Sequence, residues 1–332
     1  MLAFIPSPSI NGFHIGPLFV HFYALMYLVG ITLAVLLGRR RWRALGGDPM
    51  LVDDIALWGV PFGIIGGRIY FDITTPADIP PHWWGPFAVW DGGLGIWGGV
   101  ALATAVCVWR LRKAGVSVTG MMDTLAPCLL IAQAVGRIGN YFNQELFGGP
   151  TKLPWGLEIA PQYRPAGYLQ DATFHPTFLY ELIWDLALAG FLIWIGHRGK
   201  IRPGGLFALY VAGYSAFRIF EESLRVDSSQ YIFGLRLNFY VASLLALAGI
   251  IWFIVLQRRP MPVATDLPAE PGTSADASTD DTADVPEQEA VEATTESEQQ
   301  PAREHEDRAQ EDQEHEDREH EDREHEDNAH AG

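Results

Sequence analysis

The sequence predicts an all-α polytopic membrane protein with seven transmembrane helices, the N-terminus outside, the C-terminus cytoplasmic, and a disordered acidic tail. Three observations carry this reading. Seven mostly apolar runs approach the roughly 20 residues needed to cross the hydrocarbon core. Every second loop between them is rich in Lys and Arg. The composition then changes abruptly at Pro260.

The seven runs cover about 17–38, 51–72, 90–109, 119–142, 174–196, 204–222 and 237–256. Spans four and six are the least purely apolar. Arg39, Arg40, Arg41 and Arg43 follow the first span, Arg110, Arg112 and Lys113 the third, Arg198, Lys200 and Arg202 the fifth, and Arg258 and Arg259 the seventh. The other connections are poorer in Lys and Arg, so the basic loops are placed in the cytoplasm. Residues 1–17 have no positive n-region and no small-residue cleavage site, which argues against a signal peptide.

The net charge of −17 divides unevenly. From Pro260 onward there are 25 acidic residues and 4 arginines; the preceding residues hold 15 acidic and 19 basic ones, a balance of +4. The acidity therefore belongs to the tail and not to the membrane body. The tail repeats EHEDR at 304–308, 314–318 and 319–323, with a variant at 324–328. It has too little apolar surface to offset the entropy of ordering it. The expected domains are thus 1–259, a membrane domain, and 260–332, a cytoplasmic tail. Cys107 and Cys128 lie inside apolar runs and form neither a C-x-x-C nor a secreted disulfide pattern. They read as small core residues.

Charged residues within a span cost roughly 2.5–3.5 kcal/mol at its centre and mark a site by default. Span four ends in Gly136-Arg137-Ile138-Gly139-Asn140-Tyr141-Phe142-Asn143-Gln144-Glu145-Leu146-Phe147-Gly148. Helical spacing puts Arg137, Asn140 and Gln144 on one face, and Gly148, Gly149 and Pro150 are expected to end the helix. Span six ends with Arg218, Glu222 and Arg225 along one stripe. Span one opens with His21, Phe22 and Tyr23, span two carries Gly66-Gly67-Arg68, and span five opens with His175-Pro176 before Tyr180 and Glu181. Taken singly, each group also suits an interhelical clamp, a snorkelling charge or an interfacial anchor. Together they converge on the outer half of the membrane. Two guanidiniums there, with no obvious surplus of carboxylates, suit an anion, and phosphate matches the planar donor fork of Arg. No Gly-rich phosphate loop is present, so a phospholipid head group fits better than a nucleotide. An anion transporter or channel would explain buried arginines too, but the polar residues occupy one half of the membrane and no inverted repeat is visible.

The run from Gly136 to Gly148 closely resembles the signature of the prolipoprotein diacylglyceryl transferase family, with Tyr141 where the family usually has Phe. The resemblance extends over about residues 10–257 and includes His21-Phe22-Tyr23, Trp90-Asp91-Gly92-Gly93, His175 through Glu181, and Arg218 through Arg225. It implies a bacterial plasma (inner) membrane enzyme with its active site towards the outer leaflet. The implied reaction moves the diacylglyceryl group of phosphatidylglycerol to the lipobox cysteine of a preprolipoprotein signal peptide, forming a thioether and releasing glycerol 1-phosphate. No cofactor, no metal and no nucleic-acid partner is expected; membrane lipid is. By the same resemblance Arg137 and Arg218 match the essential arginines and Tyr23 a functional tyrosine. Asn140, Glu145 and Gly148 match positions that shape the head-group site, and Glu222 and Arg225 a charged pair near its mouth. Many relatives carry a His, proposed as the base for the thiol, where this chain has Trp97. Indole accepts no proton at neutral pH. The base is then another residue, with His21, His175 and Glu222 as candidates, or the thiolate attacks directly.

Overall fold

A computed structural model describes residues 4–227 and 231–258; the acidic tail expected from residue 260 onward lies outside the described residues. Seven α-helices form among the described residues: α1 (Phe22–Ala44), α2 (Met50–Thr74), α3 (Ile96–Lys113), α4 (Val118–Asn143), α5 (Thr177–Gly196), α6 (Gly205–Leu224) and α7 (Leu237–Arg258). Five of them, α1, α2, α4, α5 and α7, are long and apolar enough to cross a membrane. The other two carry more charge. Arg110, Arg112 and Lys113 fill the last turn of α3, and Arg218, Glu221 and Glu222 sit in the last two turns of α6.

Three two-stranded antiparallel hairpins, which the apolar runs did not signal, cap one end of the bundle. They are β1 (Gly12–Ile15) with β2 (Leu18–His21), β3 (Leu157–Glu158) with β4 (Thr173–Phe174), and β5 (Tyr231–Ile232) with β6 (Leu235–Arg236). The first of these corrects the expected start of span one. Residues 18–21 pair in the β1–β2 hairpin, with Pro17 in its turn, and the helix begins only at Phe22, with His21 as its N-cap. Span three likewise starts later, at Ile96, because Gly92 and Gly93 both adopt positive φ and break the chain before it.

In lipid, helices gain little from burying apolar side chains against each other, so small residues that admit close backbone approach do much of the joining. A Cβ on Gly30 of α1 would lie 2.9 Å from the carbonyl oxygen of Ala132 of α4. Gly66 of α2 and Gly98 of α3 face each other so closely that a Cβ on either would lie within 2.4 Å of the other's carbonyl oxygen. The helix α4 touches α1, α5, α6 and, more lightly, α3, and so forms the centre of the bundle. Its core includes Ala126 and Leu130, packed with Ala189, Leu192 and Leu206 from α5 and α6. At the end away from the hairpins, Asp123 of α4 accepts the backbone N–H of Gly204 (2.6 Å) and of Phe207 (2.9 Å), tying the start of α6 to α4. At the same end, Arg110 of α3 pairs with Asp54 of α2 at 2.6 Å.

Candidate active site

The site begins where α4 ends. The helix stops at Asn143, before Gly148, Gly149 and Pro150, which were expected to stop it. Gln144 takes a left-handed conformation (φ 51°) and its N–H returns to the Asn140 and Tyr141 carbonyls. Leaving the helix removes Gln144 from the face it was expected to share with Arg137 and Asn140. Its side chain instead accepts the Ala160 N–H at 2.8 Å and donates to the Pro8 carbonyl at 3.1 Å. The turn folds Glu145 back over the helix end, where one carboxylate oxygen accepts from Asn140 Nδ2 (2.9 Å) and Asn143 Nδ2 (3.2 Å).

Gly148 sits at a junction of three segments. Its N–H donates to the His175 carbonyl at 2.9 Å, it bridges to Arg225, and the Gly149 N–H donates to the Leu224 carbonyl at 2.8 Å. A Cβ at Gly148 would lie 2.8 Å from the His175 Cβ and 3.1 Å from the Leu224 carbonyl oxygen. Only a residue without a side chain lets the α4–α5 connection pass between the start of α5 and the end of α6.

Arg137 of α4 reaches across to α5, where its Nη2 pairs with Glu181. The Tyr214 hydroxyl of α6 donates to the same carboxylate at 3.0 Å. Arg218 of α6 holds Glu221 at 2.6 Å and Glu222 at 3.0 Å, and lies 3.9 Å from the second oxygen of Glu181. The chain of charges continues outward. Glu222 pairs with Arg236 at 2.5 Å, Arg236 with Asp227 at 3.0 Å, and Arg225 with Asp227 through two bonds of 2.7 and 2.8 Å. Burial alone would raise the Asp227 carboxyl, but the two arginines outweigh it and hold it below the usual carboxylate range. Among the described residues, Arg137 Nε and Nη1 and Arg218 Nε have no protein partner. The two side chains keep 17% and 19% of their surface exposed, so these donors are accessible.

The expectation of no carboxylate surplus is overturned. Glu181, Glu221, Glu222 and Asp185 are all buried around the two arginines. Glu181 and Asp185 were visible as acids inside an apolar run but went unassigned. Tyr214 and Glu221 lie beside assigned residues, and Arg236 and Asp227 give no sequence signal because they come from a loop and a hairpin.

The remaining assigned residues lie around this chain. Tyr23 packs its ring on the backbone of Gly139, where a Cβ would come within 2.5 Å of it, and its hydroxyl lies 3.0 Å from that of Tyr27. It feels the charges of both Glu145 and Arg137. His21 stacks edge-on with Phe19 and lines a cleft of about 500 Å³ together with Asn143, Glu145, Phe147 and Asp227. His175 Nδ1 lies 3.1 Å from the Tyr180 hydroxyl, which also accepts from Trp155 Nε1 at 3.1 Å. Trp97 is half exposed on the first turn of α3, a helix packed chiefly on α2. Among the described residues it makes no side-chain hydrogen bond. The structure therefore brings together Arg137, Arg218, Glu222 and Arg225 in one network and Asn140 with Glu145 beside it. Among the described residues it leaves the side chains of Trp97 and His175 without a polar contact to the arginines.

Arg68 has a different surrounding. It is 5% exposed, and its Nε, Nη1 and Nη2 donate to the carbonyls of Pro86 (2.8 Å), Gly92 (2.7 Å) and Gly85 (2.6 Å). Asp72 lies 3.1 Å from its Nε. It pins the whole connection between α2 and α3, including the Trp90–Gly93 turn.

Comparison with known proteins gives the same answer as the signature. The family model for prolipoprotein diacylglyceryl transferase matches residues 11–255. The chain belongs to that family. It is 49% identical over 259 residues to the phosphatidylglycerol–prolipoprotein diacylglyceryl transferase of Cutibacterium acnes, covering 77% of this chain and 87% of the relative. It is 43% identical over 284 residues to transferase 2 of that name from Streptomyces coelicolor, with 84% and 89% covered. The Paenarthrobacter aurescens transferase is 45% identical over 277 residues, with 79% and 86% covered. Family membership and the apolar helices make this a multi-pass membrane protein and a transferase. The names of these relatives describe no transporter.

Proposed function

We propose that this chain transfers the diacylglyceryl group of phosphatidylglycerol to the lipobox cysteine of preprolipoproteins, forming a thioether and releasing glycerol 1-phosphate. The observation that carries the reading is the meeting of Arg137 and Arg218, on different helices, at one carboxylate with three guanidinium nitrogens left over. Those nitrogens are the donors for the lipid phosphate. As the C–O bond to the phosphate breaks, negative charge accumulates on the leaving oxygen, and preorganised cationic donors stabilise it. Nearby guanidiniums also favour the thiolate form of the incoming cysteine. Asn140 and Glu145 hold the end of α4 in shape beside the head group, Gly148 admits the crossing of three segments, and Tyr23 walls the site from α1.

All seven helices span the plasma membrane in this reading, the N-terminus and hairpins outside and residues 260–332 inside. The charges at the ends of α3 and α6 do not argue against spanning. Those of α3 face the basic side, and those of α6 are the site itself. The chemistry then lies towards the outer leaflet, where secreted precursors present their cysteine. The decisive experiment incubates the purified full chain with phosphatidylglycerol and a lipobox peptide and weighs the peptide by mass spectrometry. A diacylglyceryl adduct on cysteine, absent from a serine peptide, is expected. Folded protein that gives no adduct overturns the reading.

A further inference from the structure

The cleft of about 500 Å³ lies where both trails of polar contacts from the arginine pair end. Glu145, bonded to Asn140 one turn beyond Arg137, is one of its lining residues. Asp227, the last carboxylate of the chain that runs from Arg218 through Glu222 and Arg236, is another. A further cleft of about 330 Å³ shares Asn11, Gln144 and Tyr163 with it, so the two adjoin. The walls of the further cleft are residues 7–11, which precede β1, and residues 158–164, which leave β3. Residues 5–8 form no helix or hairpin, yet each is tied down. Ile5 donates to the Gly156 carbonyl and accepts from the Glu158 N–H (both 2.9 Å), the Pro6 carbonyl accepts from the Tyr141 hydroxyl at 2.7 Å, and Ser7 Oγ donates to the Glu158 carbonyl. Gln144 joins the two walls through its bonds to Pro8 and Ala160. Gln144 and Leu146 both hold left-handed backbone (φ 51° and 59°), a strained conformation for residues with side chains and one that gathers at ligand sites. Among the described residues the side chains of Ser9, Asn11, His21, Gln162 and Tyr163 make no hydrogen bond to the protein. Unused donors and acceptors spread along a groove suit a ligand that is long and carries polar groups at regular intervals. An acyl chain has none, and a head group fixed by its phosphate at the arginines has a single glycerol to extend. An extended polypeptide presents an N–H and a C=O at every residue.

We propose that this groove holds the segment of the substrate protein that follows the target cysteine. The inference rests on the reading above, in which the cysteine meets the arginine pair at the end of a membrane-embedded signal segment and the rest of the substrate lies outside. The chain past the cysteine then leaves towards the hairpin end of the bundle, where the groove lies. Bonds from its main chain to Asn11, Gln162 and Tyr163 recognise it without demanding a particular sequence. Anchoring the chain beyond the cysteine also holds the thiol in place for attack.

The test compares two amidated lipobox peptides on the full chain in detergent with phosphatidylglycerol. One ends a single residue past the cysteine; the other runs about eight residues past it, enough extended chain to enter both clefts. Wild-type protein is expected to lipidate the longer peptide with about ten-fold higher kcat/KM, the gain lying in KM. Ser9→Trp and Gln162→Trp each place an indole in the groove and should bring the ratio of the two peptides close to one. A wild-type ratio near one overturns the proposal, as does a ratio unchanged in both variants. If the variants fail to fold, wild-type protein decides. A benzophenone about four residues past the cysteine should crosslink to residues 7–11 or 158–164, located by mass spectrometry of the digest; crosslinks only elsewhere, or none, overturn the proposal. A wild-type protein that lipidates neither peptide sinks the functional reading. One that lipidates both equally well sinks only this inference.

Discussion

Arg68 and Arg137 both sit in long apolar helices beside glycines, and the protein uses them in opposite ways. All three nitrogens of Arg68 are taken up by backbone carbonyls of one loop. Among the described residues Arg137 commits only Nη2, to Glu181 and Tyr214, and keeps its other nitrogens without a protein partner. Saturated donors fix structure; unsaturated donors in an apolar setting wait for a ligand. The difference separates an arginine that organises the α2–α3 loop from an arginine placed for chemistry.

The largest effect should come from the second kind. Arg137→Ala or Arg218→Ala is expected to lower transfer by on the order of 10³-fold or more, with the protein still folded and inserted. Lys should rescue poorly, since it offers a point charge in place of a fork. Near-normal turnover of either Ala variant, measured with the peptide assay, would erase the distinction. Arg68→Ala should do the reverse. Several carbonyls lose a charged donor, each such bond contributing about 1.5–3 kcal/mol, so thermal stability in detergent falls sharply. Activity per folded molecule should fall less than in the Arg137 variant. A stable but inactive Arg68→Ala protein would move Arg68 into the site.

Gly148→Ala sharpens the comparison by disturbing the site's frame without touching a charge. Overpacking against His175 and Leu224 should cost about 1–3 kcal/mol, read as a lower unfolding temperature and a weaker apparent affinity for phosphatidylglycerol. An unaffected variant would show that the junction yields.

Asp227, at the exposed end of the charge chain, should matter little and in a pH-dependent way. Its folded carboxyl is held below its unfolded value, so its contribution is present above the unfolded value and is lost as pH falls through the folded one. Partial exposure limits it to about 1 kcal/mol or less. Asp227→Asn should therefore lower stability slightly at neutral pH and not at all in strong acid. Equal destabilisation at both would contradict the pairing with Arg225 and Arg236.

The smallest effect is expected at Trp97. Trp97→Phe should keep substantial activity and an unshifted pH profile, because indole carries no basic site and, among the described residues, the side chain has no polar contact to the arginines. A dead Trp97→Phe variant would make the ring part of the mechanism.

Much of this molecule was legible as a string. Hydropathy located the helices to within a few residues, except where β2 and the Gly92–Gly93 turn displaced the starts of α1 and α3 and where α1 runs on to Ala44 through the arginines expected to follow it. The cost of an ionisable group in a span singled out Arg137 and Arg218 wherever they point, and the resemblance to the family signature added Asn140 and Glu145. The cost is a property of the residue and the solvent, so sequence carries it. What each group pairs with is a property of the packing. Sequence could not show that Arg68 spends its nitrogens on a loop while Arg137 spends one on Glu181, could not show Gln144 leaving the helix, and concealed Glu181, Asp185 and Arg236 as partners. Those depend on α5 and α6 approaching α4 closely enough for side chains far apart in the chain to share a charge, and only the tertiary structure decides that distance.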